Sequence, residues 1–213
     1  MIEPYYQDDA VTIYLGDALE ITPALSGIDA VITDPPYGMD YDTNSTRFKA
    51  GHGGNNKDWG KRVLNDDKPF EPLPWLAFDK VILWGFNHFA ARLPTGTTLV
   101  WLKKYDHLFG TFLSDAELAW MKGGCGVYCR RDTSLLGETR ERIHPTQKPL
   151  NIMKWCIEKA KVPAGGLILD PFMGSGTTLR AAKNLGLKAI GIEIEEKYCE
   201  IAAKRMAQEV LAL

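Results

Sequence analysis

At 213 residues the chain has the length of one ordinary domain, large enough to bury a substantial core. Its 45% hydrophobic and 24% charged residues are the proportions of a soluble globular protein, and no apolar stretch is long enough to cross a bilayer, so a membrane-spanning class is excluded. The net charge of −2 neither requires nor excludes a polyanionic partner.

Met1-Ile2-Glu3-Pro4 does not begin a signal peptide, so a cytoplasmic address is the expectation, and with it reduced thiols at Cys125, Cys129, Cys156 and Cys199. Val11 to Leu15 alternates into a strand, after which Asp17 opens a short helix through about Leu25. Asp29 to Thr33 is a second, apolar strand that feeds Asp34-Pro35-Pro36-Tyr37. Each proline biases the residue before it towards extended backbone, so the strand stops there. Its last polar groups then project into the crevice beyond the strand's carboxyl end, where open α/β sheets bind ligands. A planar amine such as a nucleobase NH2 would meet two acceptors, the Asp34 carboxylate and the Pro35 carbonyl, with the Tyr37 ring available for stacking. The plainer reading of the same tetrapeptide is a strand followed by a polyproline turn.

From Gly38 to about Pro69 the composition shifts to Gly, Asn, Asp and Lys, which predicts a functional or disordered loop. Val81 to Trp84 and Thr97 to Leu102 read as buried strands, with a helix around Asn87 to Arg92 between them. Ala116 to Met121 and Gly126 to Cys129 predict one or two antiparallel edge strands. Cys125 and Cys129 with His144 lack a fourth ligand and the usual two-residue spacing, so no metal is expected. Leu150 to Ala160 is an amphipathic helix.

Leu167 to Asp170 is another buried strand, and Pro171-Phe172-Met173-Gly174-Ser175-Gly176-Thr177-Thr178 turns from it into the helical pattern Leu179 to Leu185. Such a glycine-rich turn lets a ligand approach the backbone and offers it helix N-terminal amides. No Lys follows Gly176, so this is not a Walker phosphate loop, and Leu179 stands where a dinucleotide fingerprint needs its third glycine. The strand Lys188 to Glu193 ends in an acid placed to bind ribose hydroxyls. Together these elements describe a nucleoside pocket that needs no diphosphate. A final helix runs from Glu195 to about Val210. Alternating strands and helices predict a single α/β domain over residues 1–213, with a mostly parallel sheet, an antiparallel edge and helices on both faces.

Asp34 to Tyr37 upstream and Asp170 to Thr178 downstream resemble the catalytic and cofactor motifs of amino-methylating DNA methyltransferases. Their order is that of the permuted beta group, and His144-Pro145-Thr146-Gln147-Lys148-Pro149 resembles a third motif of that group. The resemblance implies a Rossmann-like fold that binds S-adenosylmethionine. Asp170, Pro171, Phe172, Gly174, Ser175, Gly176, Thr177 and Thr178 would hold its methionine portion, and Glu193 its ribose. Thr146 and Lys148 would meet its carboxylate. Asp17 either accepts from its adenine amine or merely caps the following helix. The implied reaction is methylation of the N6 amine of a flipped-out adenine in double-stranded DNA, as in restriction–modification, with Asp34, Pro35, Pro36 and Tyr37 as the catalytic set. Cytosine N4 is the nearest alternative target, and an idle nucleic-acid or cofactor-binding module the reading of a different class.

Basic residues gather in the glycine-rich loop (Arg47, Lys49, Lys57, Lys61, Arg62), at a strand end (Lys103, Lys104) and after the edge strands (Arg130, Arg131, Arg140, Arg142). Such clusters can track phosphates, although a charge run is more often a solvated face. Only about twenty-odd residues separate Met121 from the His144 motif, too few for a target-recognition domain. Selectivity would then be loose, supplied by the Gly38 to Pro69 loop, or shared across a homodimer.

Overall fold

The structure is a computed structural model that describes residues 2–40, 64–111, 114–136 and 147–208. Strands β1 (Tyr6–Gln7) and β2 (Val11–Leu15) precede a one-turn helix α1 (Ala18–Ile21) and strand β3 (Ala30–Thr33). Then come β4 (Val81–Trp84), β5 (Gly96–Leu102) and the long β6 (Ala116–Arg131). Helix α2 (Leu150–Ala160), β7 (Leu167–Asp170), α3 (Thr177–Asn184), β8 (Lys188–Glu193) and α4 (Glu196–Ala207) complete the fold.

Among the described residues, eight strands form one sheet in the order β1-β2-β8-β7-β3-β4-β6-β5. The pairs β2–β8, β8–β7, β7–β3 and β3–β4 are parallel, and β4–β6 is antiparallel. The central strands are buried on both faces, which is why they read as continuous Val, Ile and Leu runs rather than alternating ones. Ala30, Ile32, Ile82, Trp84 and Ile168 share one core with residues of α2, α3 and α4. Val31, Val81, Leu83 and Leu169 point the other way, into a second core with α1, Phe70, Trp75 and Phe89. Among the described residues no helix is long and apolar enough to cross a membrane.

Three local expectations change. The helix around Asn87 to Arg92 is two short 3-10 turns, Phe86–His88 and Ala90–Arg92, because Gly85 in the left-handed region starts the first and Phe89 breaks from helical backbone between them. The helix from Asp17 gives way to a 3-10 turn at Thr22–Ala24, where Pro23 sits. The antiparallel edge is β1, paired with β2, whereas the antiparallel stretch expected at the edge over Ala116 to Met121 lies inside the sheet. Residues 116–122 lie between β4 and β5, with Leu102 opposite Ala116 and Thr97 opposite Met121. The chain then passes around the start of β5, and 127–131 line its far side, with Thr98 opposite Val127 and Leu102 opposite Arg131. Gly123 and Gly124, both at positive φ, make that passage.

β3 and β7 are neighbours whose onward connections run to opposite halves of the sheet, β3 to β4 on one side and β7 to β8 on the other. That is a topological switch point, and the crevice beyond it is where an open α/β sheet binds its ligand.

Candidate active site

The two sequence motifs meet at this switch point. Thr33, the last residue of β3, donates its hydroxyl hydrogen to Asp170 Oδ1 at the end of β7, 2.6 Å away. Both are buried, and the Phe172 amide donates to the same Asp170 oxygen at 3.2 Å. Burial pushes the Asp170 carboxyl up to about 6, with the hydrogen bonds from Thr178 and Thr33 opposing it. A cavity of about 1020 Å³ opens over the strand ends and is lined by Asp17, Asp34 to Tyr37, Asp170 to Ser175, Thr177, Thr178 and Glu193. That volume exceeds what a single nucleoside needs.

On the β7–β8 side, Glu193 Oε2 accepts from the Gly174 amide at 3.0 Å and Oε1 from the Glu195 amide at 2.8 Å. Burial, with the charge of Glu195 adding to it, pushes the Glu193 carboxyl up to about 7. A carboxylate has about four acceptor sites, so capacity remains for hydroxyl donors. The glycine turn is braced from α4: the Arg205 guanidinium donates to the Ser175 carbonyl at 2.5 Å and meets its hydroxyl at 3.2 Å. Gly176 answers to packing as much as to a ligand, since a Cβ there would stand 3.0 Å from that of Ala202 on α4. Asp17 caps α1, accepting from the Leu19 amide at 2.7 Å, and also lines the cavity, so both roles read for it in the sequence are compatible with its position.

On the β3 side, both Asp34 oxygens are engaged. The Tyr37 hydroxyl donates to Oδ1, and the Lys148 ammonium lies 2.5 Å from Oδ2. Burial raises the Asp34 carboxyl, opposed chiefly by the Lys148 charge. Burial also keeps the Tyr37 phenol well above its usual range, so it remains a donor. The Tyr37 ring, read from the sequence as a stacking surface, already has a partner: His88 lies parallel to it, centroids 5.1 Å apart and planes 9° apart. Gly85 makes room for that ring, since a Cβ there would fall 2.0 Å from Tyr37 Cε1. The turn is pinned by Asp66, whose Oδ1 accepts from the amides of Tyr37 and Gly38, each at 2.8 Å.

Lys148, expected at the cofactor's carboxylate, lines the cavity and lies buried between Asp34 and Glu117, whose Oε2 is 3.1 Å away. The reason is electrostatic: a buried ammonium requires carboxylates, and these two stand beside it. Burial disfavours its charge, but Asp34 and Glu117 outweigh that and hold Lys148 protonated well above the usual lysine range.

The proposed phosphate contacts divide. Lys104 is buried against Asp115 at 2.8 Å, so it is committed to the fold rather than to a surface. Lys103 pairs with Glu117 at 2.9 Å, Arg130 with Glu158 at 3.6 Å, and Arg131 with Asp106. Arg47, Lys49, Lys57, Lys61, Arg62, Arg140, Arg142 and Thr146 lie outside the described residues. Among the described residues no group of three or more His, Cys, Asp or Glu is placed to hold a metal ion.

Sequence reasoning missed Thr33, Asp66, His88 and Glu117. A polar residue ending an apolar strand, as Thr33 does, and an acid opening the apolar stretch Leu118-Ala119-Trp120-Met121, as Glu117 does, were the available signals. Asp66 lies in the stretch read only as a loop and His88 in one read only as a helix, and neither carried a signal of its own.

Residues 127–204 match the DNA methylase family. Across 99% of its length the chain is 27% identical to the type II methyltransferase M.ScaI of Streptomyces caespitosus, covering 86% of that protein. Among solved structures, a complex of M1.HpyAVI with S-adenosylmethionine superposes with a TM-score of 0.58 at 24% identity, over 92% of this chain and 99% of that one. The cytosine-N4-specific PvuII DNA methyltransferase superposes with a TM-score of 0.61 at 14% identity, over 99% and 91%. At these identities the two structures establish the fold. The family match and the relative together support a DNA methyltransferase.

Proposed function

We propose that the chain methylates the N6 amine of an adenine swung out of double-stranded DNA. The observation that carries this is the shared cavity: Asp34 and Glu193 open on one space, joined through the hydrogen bond from Thr33 to Asp170. The residues fit the cofactor. Glu193 keeps acceptor capacity for ribose hydroxyls, and the turn at Phe172, Gly174 and Ser175, braced by Arg205, borders the same space. When bound, S-adenosylmethionine supplies a methyl group already activated on sulfur.

The chain's own work is positioning and electrostatics. An exocyclic amine is a poor nucleophile because its lone pair is delocalised into the ring. Each Asp34 oxygen retains an acceptor site beside its present partner. A hydrogen bond from the amine to Asp34, and another to the Pro35 carbonyl, would favour the electron distribution that attacks. The same bonds would stabilise positive charge growing on nitrogen. Asp34 would also be placed to take the surplus amine proton once the substrate nitrogen carries its methyl group. For Tyr37 the hydroxyl joins the ring in importance, because it orients Asp34, and an incoming base would have to share or displace His88.

Transfer of labelled methyl to unmethylated duplex DNA, with mass spectrometry of the digested nucleosides, tests the proposal. N6-methyladenine that disappears in Asp34→Ala, with cofactor binding intact, is the expected result. N4-methylcytosine would move the target base while keeping the mechanism. Bound cofactor with no methylated nucleoside would instead indicate an idle binding module. The loop set Arg47, Lys49, Lys57, Lys61 and Arg62 is proposed as the phosphate contact. Neutralising it should flatten the salt dependence of DNA binding, and an unchanged slope would remove it from the interface. A cytoplasmic setting and a homodimer that shares target selection belong to the same proposal.

A further inference from the structure

Asp34 is one end of a row of four charges contributed by four separate parts of the sheet's carboxyl edge. Lys148, only 6% exposed, lies 2.5 Å from Asp34 and 3.1 Å from Glu117 Oε2. The other Glu117 oxygen takes the Lys103 ammonium at 2.9 Å. Lys148 also sits over the buried Trp84 ring, 5.5 Å from its centroid, so its floor is aromatic rather than water. Glu117 reaches this crevice because residues 116–122 run antiparallel, which brings the start of β6 to the end where its parallel neighbours finish.

A buried ion pair is weak evidence for stability, because desolvation offsets much of the attraction. The arrangement makes better sense through the reaction. An isolated Asp34–Lys148 pair would be oriented yet electrically neutral, and its field would do little for a substrate nitrogen turning positive. Glu117 changes that balance. Lys103 and Glu117 keep 24% and 31% of their side chains exposed, so solvent screens that end of the row more than the Asp34–Lys148 pair, and Glu117 partly offsets the Lys148 charge felt at Asp34.

We propose that Lys148 and Glu117 are positioning residues for amine methylation: Lys148 holds Asp34 as an oriented carboxylate, and Glu117 holds Lys148 while offsetting its charge. This rests on the methyltransferase reading above. The groups that face Asp34 are Tyr37 on its own turn, Lys148 ahead of α2 and Glu117 on β6. Around them stand Lys103 after β5, Asp170 on β7 and His88, stacked on Tyr37, after β4. The Lys148 charge favours the Asp34 carboxylate, whereas the Glu117 charge disfavours it.

The test is the pH profile of single-turnover methyl transfer, with cofactor and duplex saturating, in the wild-type chain, Glu117→Gln and Lys148→Met. Each variant should lose about 10- to 100-fold in rate, the scale seen when a residue that orients a metal ligand is removed. The acid limb should move in opposite directions, to lower pH in Glu117→Gln and to higher pH in Lys148→Met, with cofactor affinity unchanged in both. Opposite movement is what a merely structural loss cannot produce. If Glu117→Gln fails to fold, an upward limb in Lys148→Met still supports the proposal, and an unmoved limb overturns it. Rates and limbs like those of wild type in both variants also overturn it, leaving the methyltransferase reading intact. A wild-type chain that methylates no base overturns that reading, and with it the role given to this row.

Discussion

Glu193 is held in a position that costs stability, and replacing it by Gln exposes that cost. The carboxyl goes from an ordinary 4.5 to about 7, chiefly through burial. At 1.36 kcal/mol per pKa unit, full ionisation in the folded state costs about 3 kcal/mol. The sign follows from the proton: the folded chain holds it more tightly, so stability is greatest below about pH 4.5 and is lost as the pH rises to about 7. At pH 5 the unfolded chain is already largely ionised, so about 1 kcal/mol of the cost is already present there. Between pH 5 and 8.5 the wild type should therefore lose about 2 kcal/mol relative to Glu193→Gln, allowing for the partial exposure of this side chain. In a domain of this size that is about 4–8 °C in Tm. Thermal and denaturant unfolding of both proteins at the two pH values, without cofactor, measures it. The comparison is a double difference, so the hydrogen-bond geometry altered by Gln and the titrating groups not coupled to Glu193 cancel. Cofactor binding, measured by calorimetry, should be lost in the variant. A stability gap between the two proteins that is the same at pH 5 and pH 8.5 would refute the claim that Glu193 is strained by burial.

Other substitutions probe the joints of the site. Thr33→Val removes a buried donor to Asp170 and should cost about 1.5–3 kcal/mol, read by denaturant unfolding, with weakened cofactor affinity. Gly85→Ala drives a methyl group into the Tyr37 ring, so methyl transfer should fall at least tenfold while cofactor affinity, measured separately, holds. Asp66→Ala leaves two amides of the catalytic turn without their acceptor, at a cost of about 1–3 kcal/mol, and should raise the KM for DNA more than it changes cofactor binding.

Much of the fold was legible without coordinates, because its signals are local. β4, β7, β8 and α2 have the boundaries read from apolar runs and helical spacing, since a strand buried on both faces and an amphipathic helix each leave a periodic trace. Asp34 to Tyr37 and Asp170 to Thr178 could be read as ligand-facing turns, because prolines and glycines restrict or free the backbone where they stand. Only the tertiary structure decided what those turns touch. A chain separation of 137 residues says nothing about Thr33 meeting Asp170, and one of 114 residues nothing about Lys148 meeting Asp34. Lys148 belongs to a motif that pointed to the cofactor, and nothing in that motif announced the two carboxylates, Asp34 and Glu117, that flank it. The place of Glu117 depends on residues 116–122 running antiparallel inside the sheet, a pairing set by neighbours across space. Sequence periodicity reports which face of an element is buried; partners and their charges are chosen by the packing.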